Sequence, residues 1–170
     1  MNEGSDLTIR LLEAGDRDEL RRLPARVSPE SAISRFHGAL TSLSEPLLDR
    51  LLDLEIGQRE AVVALDSEGV AGVARFVRDD PTSGIAEIAV LVADVWQHHG
   101  VGHRMLDVLI GRARAAGITH FRGDTLATNG AARRLLSDAG EIVASTTTEG
   151  HVVVTVDIAE RAGRGPRRSR

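Results

Sequence analysis

The stretch Gln97-His98-His99-Gly100-Val101-Gly102 decides the fold, because it separates two segments of different periodicity. The largely apolar run before it, at 85–93, predicts a buried strand, and the amphipathic run after it, at 101–116, predicts a helix. The first N–H groups of a helix have no partner within the helix, and with the helix dipole they attract an anion. Glycine at positions 100 and 102 leaves the main chain open to a phosphate. The stretch therefore predicts a phosphate-bearing ligand that is bound mainly by backbone.

Two common phosphate loops do not fit this stretch. The Rossmann fingerprint needs a third glycine where this chain has Met105, and the P-loop needs a lysine, which the chain lacks altogether. The remaining pattern is Gln/Arg-x-x-Gly-x-Gly/Ala, and it resembles the acetyl-CoA pyrophosphate loop of the GNAT acetyltransferase superfamily. An ordinary glycine-rich turn is the alternative. The position of the stretch, after a strand and before a helix, favours the phosphate loop.

The composition predicts one folded domain over residues 1–160. The chain has 170 residues, of which 42% are hydrophobic and 27% charged, and this balance is typical of a globular domain with a sizeable core. Neither a membrane-spanning run nor a signal peptide is evident, so we expect no membrane partner. Cysteine is absent, which excludes disulfides, a cysteine nucleophile and thiolate metal sites, and fits a cytoplasmic protein.

The charged residues are unevenly distributed along the chain. All 21 basic residues are arginine, and they face 25 acidic residues, for a formal net charge of −4. The segment 161–170 is rich in arginine and has no acid, so we expect it to be a disordered tail. The remaining body is more acidic than the whole chain. This charge argues against nucleic acid as the main partner and tolerates a cationic substrate.

The hydrophobic periodicity and the turn signals predict a definite order of elements. Strands are expected at 7–12, 61–65, 70–77, 85–93, 119–126, 142–148 and 151–158, and helices at 16–26, 28–37, 44–54, 101–116 and 131–139. This order is that of the GNAT fold over residues 7–158. The resemblance implies an α/β (α+β) fold in which a mixed, mostly antiparallel sheet of about seven strands is flanked by helices.

Further motifs resemble one branch of the superfamily, the Pat-type bacterial protein lysine acetyltransferases. They are Ser28-Pro29-Glu30-Ser31 with Arg35-Phe36, then Gly72-Val73-Ala74-Arg75-Phe76, then Trp96-Gln97 before the glycine loop. Enzymes of this type often carry an additional regulatory domain. The length of this chain leads us to expect a free-standing catalytic domain.

The resemblance also implies which residues hold acetyl-CoA. Leu91 and Val92 would offer backbone to the pantetheine arm. Asn129 matches an asparagine that commonly hydrogen-bonds the ligand near the start of the next helix, although a helix cap is an alternative use of this side chain. The pyrophosphate would be cradled by the loop and the first helical turn, with Gln97 opening the motif and backbone N–H groups donated by His99, Gly100, Val101, Gly102, His103 and Arg104.

Glu87 is the candidate catalytic base, since it is the one carboxylate within the strand before the loop. Strand alternation places it on one face with Ile85, Ala89 and Leu91, where we expect desolvation to raise its pKa. In the Pat-type pattern a glutamate of this strand serves as the base through water. The alternatives are a solvated glutamate or a structural ion pair.

Two features limit the remaining chemistry. Many GNAT enzymes place a tyrosine beside the CoA sulfur as general acid, and here Leu136 stands at that position, so this position supplies none. His99 and His103 have the i, i+4 spacing of a zinc pair, but the sequence offers no further ligand nearby, and we expect no metal.

These observations predict acetyl-CoA-dependent N-acetylation of a primary amine by direct attack in a ternary complex. The favoured acceptor is a protein lysine. One alternative acceptor is a small-molecule amine, and a second alternative, suggested by the missing tyrosine, is a non-catalytic CoA-binding regulatory domain. The sequence specifies no oligomeric state.

Overall fold

A computed structural model describes residues 6–28 and 43–159 of the chain. In chain order its strands and α-helices are β1 (Thr8–Leu11), α1 (Arg17–Arg22), α2 (Glu45–Leu52), β2 (Arg59–Asp66), β3 (Gly69–Arg78), β4 (Ile85–Val92), α3 (Val101–Ala115), β5 (His120–Leu126), α4 (Gly130–Ala139), β6 (Glu141–Thr148) and β7 (His151–Asp157). The strands form a single sheet of seven in the order β1-β2-β3-β4-β5-β7-β6. The pair β4–β5 is parallel and the other neighbours are antiparallel. The predicted mixed, mostly antiparallel α/β sheet is therefore confirmed.

The predicted elements in the described residues occur, and apart from the helix predicted at 16–26 their ends shift by at most two residues. The caps also agree, because the Ser44 side chain accepts a hydrogen bond from the Leu47 N–H, and Gly117 follows α3 with a φ of 80°. The predicted hairpin turn is confirmed by the positive φ of Glu149 and Gly150. The helix predicted at 28–37 lies outside the described residues except for its first residue, and the tail at 161–170 lies outside them entirely.

The helix predicted at 16–26 is shorter than expected. The α-helical part ends at Arg22, and residues 23–26 continue as a 3-10 turn. Pro24 accounts for this ending, because proline has no N–H to donate to an α-helical bond. Asp16 precedes the helix as predicted but makes no capping bond to it. Its carboxylate instead accepts hydrogen bonds from the guanidinium of Arg10 and the N–H of Glu13.

The sheet has a hydrophobic cluster on each face. On one face α3 and α4 cover the sheet, and Phe76, Met105, Leu109 and Phe121 are fully buried there. On the other face α1 and α2 pack on a second cluster, with buried residues that include Leu20, Leu48, Val63 and Leu91. None of the helices in the described part of the chain has both the length and the apolar character needed to cross a membrane.

The parallel pair β4–β5 is only partly formed. Its register joins Ile85, Ala86 and Glu87 to His120, Phe121 and Arg122. Within the described residues the pairing ends there, although β4 continues to Val92 and β5 to Leu126. We call the space between residues 88–92 of β4 and 123–126 of β5 the β4–β5 gap. One end of the gap is closed by the paired residues, and the other lies at the glycine loop.

Candidate functional site

The backbone of β4 has one side paired with β3 and one side facing the β4–β5 gap. The Ile85 carbonyl accepts a hydrogen bond from the Asp79 N–H at 3.1 Å, and the Ala93 N–H donates to the Ala71 carbonyl at 2.7 Å, so odd-numbered residues direct their backbone toward β3. Even-numbered residues direct their backbone toward β5. The Gly84 carbonyl shows this direction, because it accepts a hydrogen bond from the His120 N–H at 3.0 Å. The gap is therefore lined by unpaired strand backbone.

This alternation corrects one predicted ligand contact and adds another. The backbone of Leu91 faces β3, so it is not available to a ligand in the gap. Val92 faces the gap as predicted, but its carbonyl already accepts a hydrogen bond from the Gln97 side chain at 3.1 Å. Val90 also directs its backbone into the gap, and sequence reasoning missed it. Strand alternation combined with one known backbone pairing would have identified it.

The glycine loop has an unusual backbone conformation. A 3-10 turn, Asp94–Trp96, leads into it, and His98 and Gly100 both have positive φ, of 62° and 76°. Gly100 then stands as the N-cap of α3. A non-glycine residue with positive φ is uncommon and carries a conformational cost, so the loop is held in a specific shape. The N–H groups of the first helical turn, from Val101 to His103, point out of the helix end.

Besides Gln97, three of the predicted loop residues have partners in the structure. The Arg104 N–H donates to the Gly100 carbonyl at 3.0 Å within the helix, so the prediction that it belongs to the phosphate cradle is wrong. The ring of His103 lies 3.0 Å from the Asp138 carboxylate and links α3 to α4. The ring of His99 contacts the Gln97 carbonyl at 2.7 Å. Within residues 6–28 and 43–159, no three histidine or acidic side chains gather as a metal site.

A buried carboxylate holds the loop in place from behind. Asp66 accepts hydrogen bonds from the Arg26 guanidinium and from the Trp96 indole N–H, each at 2.5 Å at closest. We call these three residues the Asp66 hub. The Asp66 side chain is only 6% exposed, and burial alone would raise its pKa. The hydrogen bonds from Arg26, Trp96 and the Glu68 N–H outweigh burial and lower the pKa to about 2. Sequence reasoning missed the hub.

Glu87 lies at the closed end of the β4–β5 gap. It shares a sheet face with Ala89 and Leu91 as predicted, since Leu91 packs into the cluster under α1 and α2. The expected desolvation is wrong, because its side chain is 64% exposed. Apolar neighbours within a strand do not cover a carboxylate unless a second layer packs over them, and the cluster under α1 and α2 reaches β4 at Leu91 but not at Ala89, beside Glu87. The nearest cation is Arg122, at 3.8 Å.

Asn129 begins α4 beside the end of β5. Its side-chain oxygen accepts a hydrogen bond from the Ala132 N–H at 3.0 Å, which is the helix cap considered as its alternative use. Capping occupies the oxygen and leaves the amide nitrogen as a donor without a partner among the described residues. The cap and a contact with a ligand are therefore compatible for this side chain.

The position expected for a tyrosine is part of the core. Leu136 is 5% exposed. Its two methyl groups lie 2.9 Å from the position that a Cβ on Gly123 of β5 would occupy. The leucine therefore fills space that the glycine leaves open. The preceding residue, Leu135, and Val90 both lie beside Gly102. Their side chains are 3.6 Å and 3.8 Å, respectively, from the position that a Cβ on Gly102 would occupy. These two apolar side chains line the mouth of the gap at the glycine loop.

Unpaired strand backbone that leads to a glycine loop at a helix N-terminus defines an α/β protein able to bind an extended, phosphate-bearing ligand. The model of the Acetyltransferase (GNAT) family matches residues 30–140 of this chain. The chain belongs to this family and is an N-acetyltransferase. It is 32% identical over 144 residues to acetyltransferase PA5475 of Pseudomonas aeruginosa, covering 82% of this chain and 77% of that protein.

Three further proteins are similar to this chain, one in sequence and two in structure. Acetyltransferase Pat of Mycolicibacterium smegmatis is 28% identical over 138 residues, which cover 79% of this chain but 40% of that protein. The GNAT domain of S. lividans PAT is 24% identical and superposes with a TM-score of 0.82, covering 91% of this chain and 92% of that one. The yncA protein of Salmonella typhimurium, solved with its cofactor acetyl-CoA, is 19% identical with a TM-score of 0.70, covering 95% and 99%. The chain is thus similar to Pat-type GNAT domains.

Proposed function

We propose that this chain transfers an acetyl group from acetyl-CoA to a primary amine, with a protein lysine as the favoured acceptor. One observation carries the proposal. The β4–β5 gap joins the glycine loop at one end to Glu87 at the other, so a ligand held by the loop and the strand backbone would present its far end to a carboxylate.

The described residues fit acetyl-CoA, which supplies an acetyl thioester when bound. The first-turn N–H groups of Val101, Gly102 and His103 suit a pyrophosphate, because they are free of helical partners and lie at the positive end of the helix dipole. The backbone of Val90 and the N–H of Val92 face the gap, where they can pair with the amides of an extended arm. The Asn129 amide nitrogen is a further donor at the same end of the sheet.

Glu87 would remove the proton that keeps the acceptor amine unreactive. A lysine ammonium has a pKa of about 10.4, so it must lose a proton before it can attack a thioester. An exposed carboxylate at the closed end of the gap attracts the ammonium electrostatically and accepts its proton directly or through a water molecule. The ion pair of Arg122 with Asp79, at 2.9 and 3.0 Å, leaves Arg122 only a distant partner of Glu87.

Departure of the thiolate would proceed without help from the residue at the usual tyrosine position. Leu136 is buried and has no proton to give. A thiolate is a good leaving group compared with an alkoxide or an amide, since a thiol has a pKa near 8.5. The chemistry of the described residues is therefore concentrated on the acceptor amine.

A protein lysine is favoured because the chain is similar to proteins named Pat and because the Glu87 face of the sheet is open to a large acceptor. The side chain of Glu87 is 64% exposed, so a long lysine side chain can reach it from solvent. A small-molecule amine is the alternative acceptor. A cytoplasmic location belongs to the proposal, since cysteine is absent from the chain.

Substitution of Glu87 by glutamine tests the catalytic role. General bases contribute about 100-fold or more to rate, so we expect Glu87→Gln to lower kcat by at least that factor with acetyl-CoA affinity unchanged. Glu68→Gln is a matched control, because Glu68 is 78% exposed and lies 3.6 Å from Arg26, as Glu87 lies 3.8 Å from Arg122. Equal activity of the two variants would refute the role of Glu87.

A non-catalytic CoA-binding domain is the second candidate, and Leu136 favours it. The experiment that separates the two measures CoA release by the wild type with a panel of lysine peptides and small amines, beside calorimetric binding of acetyl-CoA. Release of CoA with an amine supports the enzyme. Tight binding without release from any amine supports the second candidate. Acetylation of peptides but not of free amines identifies protein lysine as the acceptor.

A further inference from the structure

Arg75 is a half-buried cation on the same sheet face as Glu87. It lies on β3 between two small residues, Ala61 on β2 and Ala89 on β4. Glu87 stands opposite Val77, the next residue of β3 on this face. Arg75 and Glu87 are therefore diagonal neighbours on adjacent antiparallel strands, with Cα atoms about 7–8 Å apart.

The guanidinium of Arg75 has a buried donor that the described residues leave without a partner. This donor is the Nε atom, which has no hydrogen-bond acceptor among them. Burial lowers the pKa of Arg75, the negative charge of Asp53 opposes this effect, and Arg59 and Arg50 add to it. An arginine keeps its charge at all physiological pH values, so a buried N–H without an acceptor carries a cost.

The nearby carboxylate is engaged elsewhere. Asp53 lies 3.1 Å from the Nε of Arg59, and Arg59 also reaches Glu55 at 2.7 Å. The carboxylate of Asp53 is therefore shared with Arg59 and does not bond the buried Nε of Arg75. An anion from outside the chain would supply the missing partner.

We propose that Arg75 is a specificity-determining residue that binds a carboxylate of the acceptor, while Glu87 receives the acceptor amine. The inference rests on the proposed acetyl transfer and names the class of acceptor: an amine that carries a carboxylate several bonds away. A protein lysine with an acidic residue beside it in the chain presents such an amine and carboxylate together. Free lysine, acetylated on its side-chain amine, also carries both groups.

The chemical basis is a charge-assisted pair at each end of one acceptor. The planar guanidinium suits a carboxylate, which can accept two parallel N–H bonds from it. The carboxylate of Glu87 suits the ammonium. An acceptor with both groups would therefore be oriented along the sheet diagonal, and an acceptor with the amine alone would be held at one end only.

The test compares matched acceptors in steady-state assays on the full chain. One pair is a lysine peptide with flanking glutamates and the same peptide with flanking glutamines, and the other pair is free lysine and lysinamide. Since hydrogen bonds to charged groups are worth about 1.5–3 kcal/mol, we expect kcat/KM to be about tenfold or more higher for the carboxylate member of at least one pair. The peptide pair and the free-lysine pair distinguish a protein acceptor from a small one.

Arg75→Met should abolish this preference by lowering kcat/KM for the carboxylate acceptor while leaving the neutral acceptor within about twofold, because the methionine keeps the stem and loses the charge. Arg75→Lys should retain part of the preference. Arg50→Met, which removes an exposed charge near the same surface, should retain all of it. Because the buried Nε of Arg75 has no acceptor among the described residues, Arg75→Met should also melt no lower than the wild type.

The outcomes separate this inference from the proposed function. Turnover of amines by the wild type without any preference for carboxylates overturns the inference and leaves the acetyltransferase intact. An equal loss on both members of a pair in Arg75→Met, with a lower melting temperature, also overturns it, since that result indicates a structural arginine. Absence of turnover with every amine overturns both proposals.

Discussion

The Asp66 hub and the glycine loop meet at the carboxyl end of β4, yet they are built in opposite ways. The hub buries side chains: Asp66 is 6% exposed, Arg26 is 15% exposed, and their charges are paired. The loop presents main chain, with glycine at positions 100 and 102 and a first helical turn whose N–H groups lack partners. The two regions are joined through Trp96 and Gln97, which follow one another in the chain.

This difference separates stability from ligand binding along one short segment. Satisfied buried hydrogen bonds fix the hub, and a fixed hub allows the loop to keep its costly positive φ at His98 before any ligand arrives. The loop can then leave its own donors unpaired. We therefore expect substitutions in the hub to lower stability first, and substitutions in the loop to lower affinity alone.

The largest expected effect is on the hub. Asp66→Asn leaves the buried Arg26 guanidinium with only the exposed Glu68, at 3.6 Å, as a charged partner, and breaking a buried pair in this way costs about 3 kcal/mol or more of the free energy of unfolding. Trp96 is the single tryptophan of the chain, so its fluorescence reports the hub directly during denaturant unfolding. Asp49→Asn is the control, because its pair with Arg17 is 67% and 32% exposed and should be worth less than about 1 kcal/mol.

A smaller effect is expected from acid alone. The pKa of Asp66 is lowered from 3.8 to about 2 in the folded protein. A lowered pKa stabilises the fold above the unfolded value, and this contribution, about 2 kcal/mol, is lost as the pH falls from about 4 to 2. Asp16 also has a lowered pKa, mainly through its hydrogen bond with Arg10, so its contribution changes in the same direction.

The acid effect is isolated by comparison. Urea unfolding at several pH values should show that the difference in free energy of unfolding between the wild type and Asp66→Asn decreases below pH 4. A difference that stays constant between pH 4 and pH 2 would mean that Asp66 does not titrate with a lowered pKa.

Gly102→Val should affect binding more than folding. A Cβ at Gly102 would lie 3.6–3.8 Å from Leu135 and Val90, which is ordinary contact, and the loop pattern itself admits alanine here. The two further methyl groups of valine narrow the mouth of the gap, and we expect acetyl-CoA affinity measured by calorimetry to fall about tenfold, or about 1.4 kcal/mol. Gly111→Val on the exposed side of the same helix is the control, and it should leave this affinity unchanged. Unchanged affinity in Gly102→Val would place the ligand elsewhere.

The sequence predicted what local patterns encode. Hydrophobic periodicity and turn residues predicted the order of the strands, and the glycines predicted the loop, because these signals depend on residues close in the chain. The hub was missed because Asp66 lies 40 residues from Arg26 and 30 from Trp96, and no periodicity links them. The exposure of Glu87 was missed for a related reason, since burial depends on the layer that packs above a strand.

The backbone contacts show the same limit at finer scale. The resemblance implied Leu91 and Val92 as ligand contacts, but which residues face the gap depends on which strand is paired on the other side. A single hydrogen bond, from the Ala93 N–H to the Ala71 carbonyl at 2.7 Å, decides this alternation for the whole strand. Such pairing is a tertiary property.

The smallest expected effect concerns Asn129, which combines both kinds of role in one side chain. Its oxygen accepts a hydrogen bond from the Ala132 N–H and caps α4, which is a structural role like that of the hub. Its amide nitrogen is left as a donor for a ligand, which is a binding role like that of the loop. Asn129→Ser keeps a capping oxygen and loses the amide, so stability should stay within about 0.5 kcal/mol of wild type while acetyl-CoA affinity falls severalfold. Asn129→Ala loses both, and its unfolding free energy should drop by about 1 kcal/mol as well. Wild-type affinity in the serine variant would mean that Asn129 is a helix cap alone and that the loop and strand backbone hold the ligand without it.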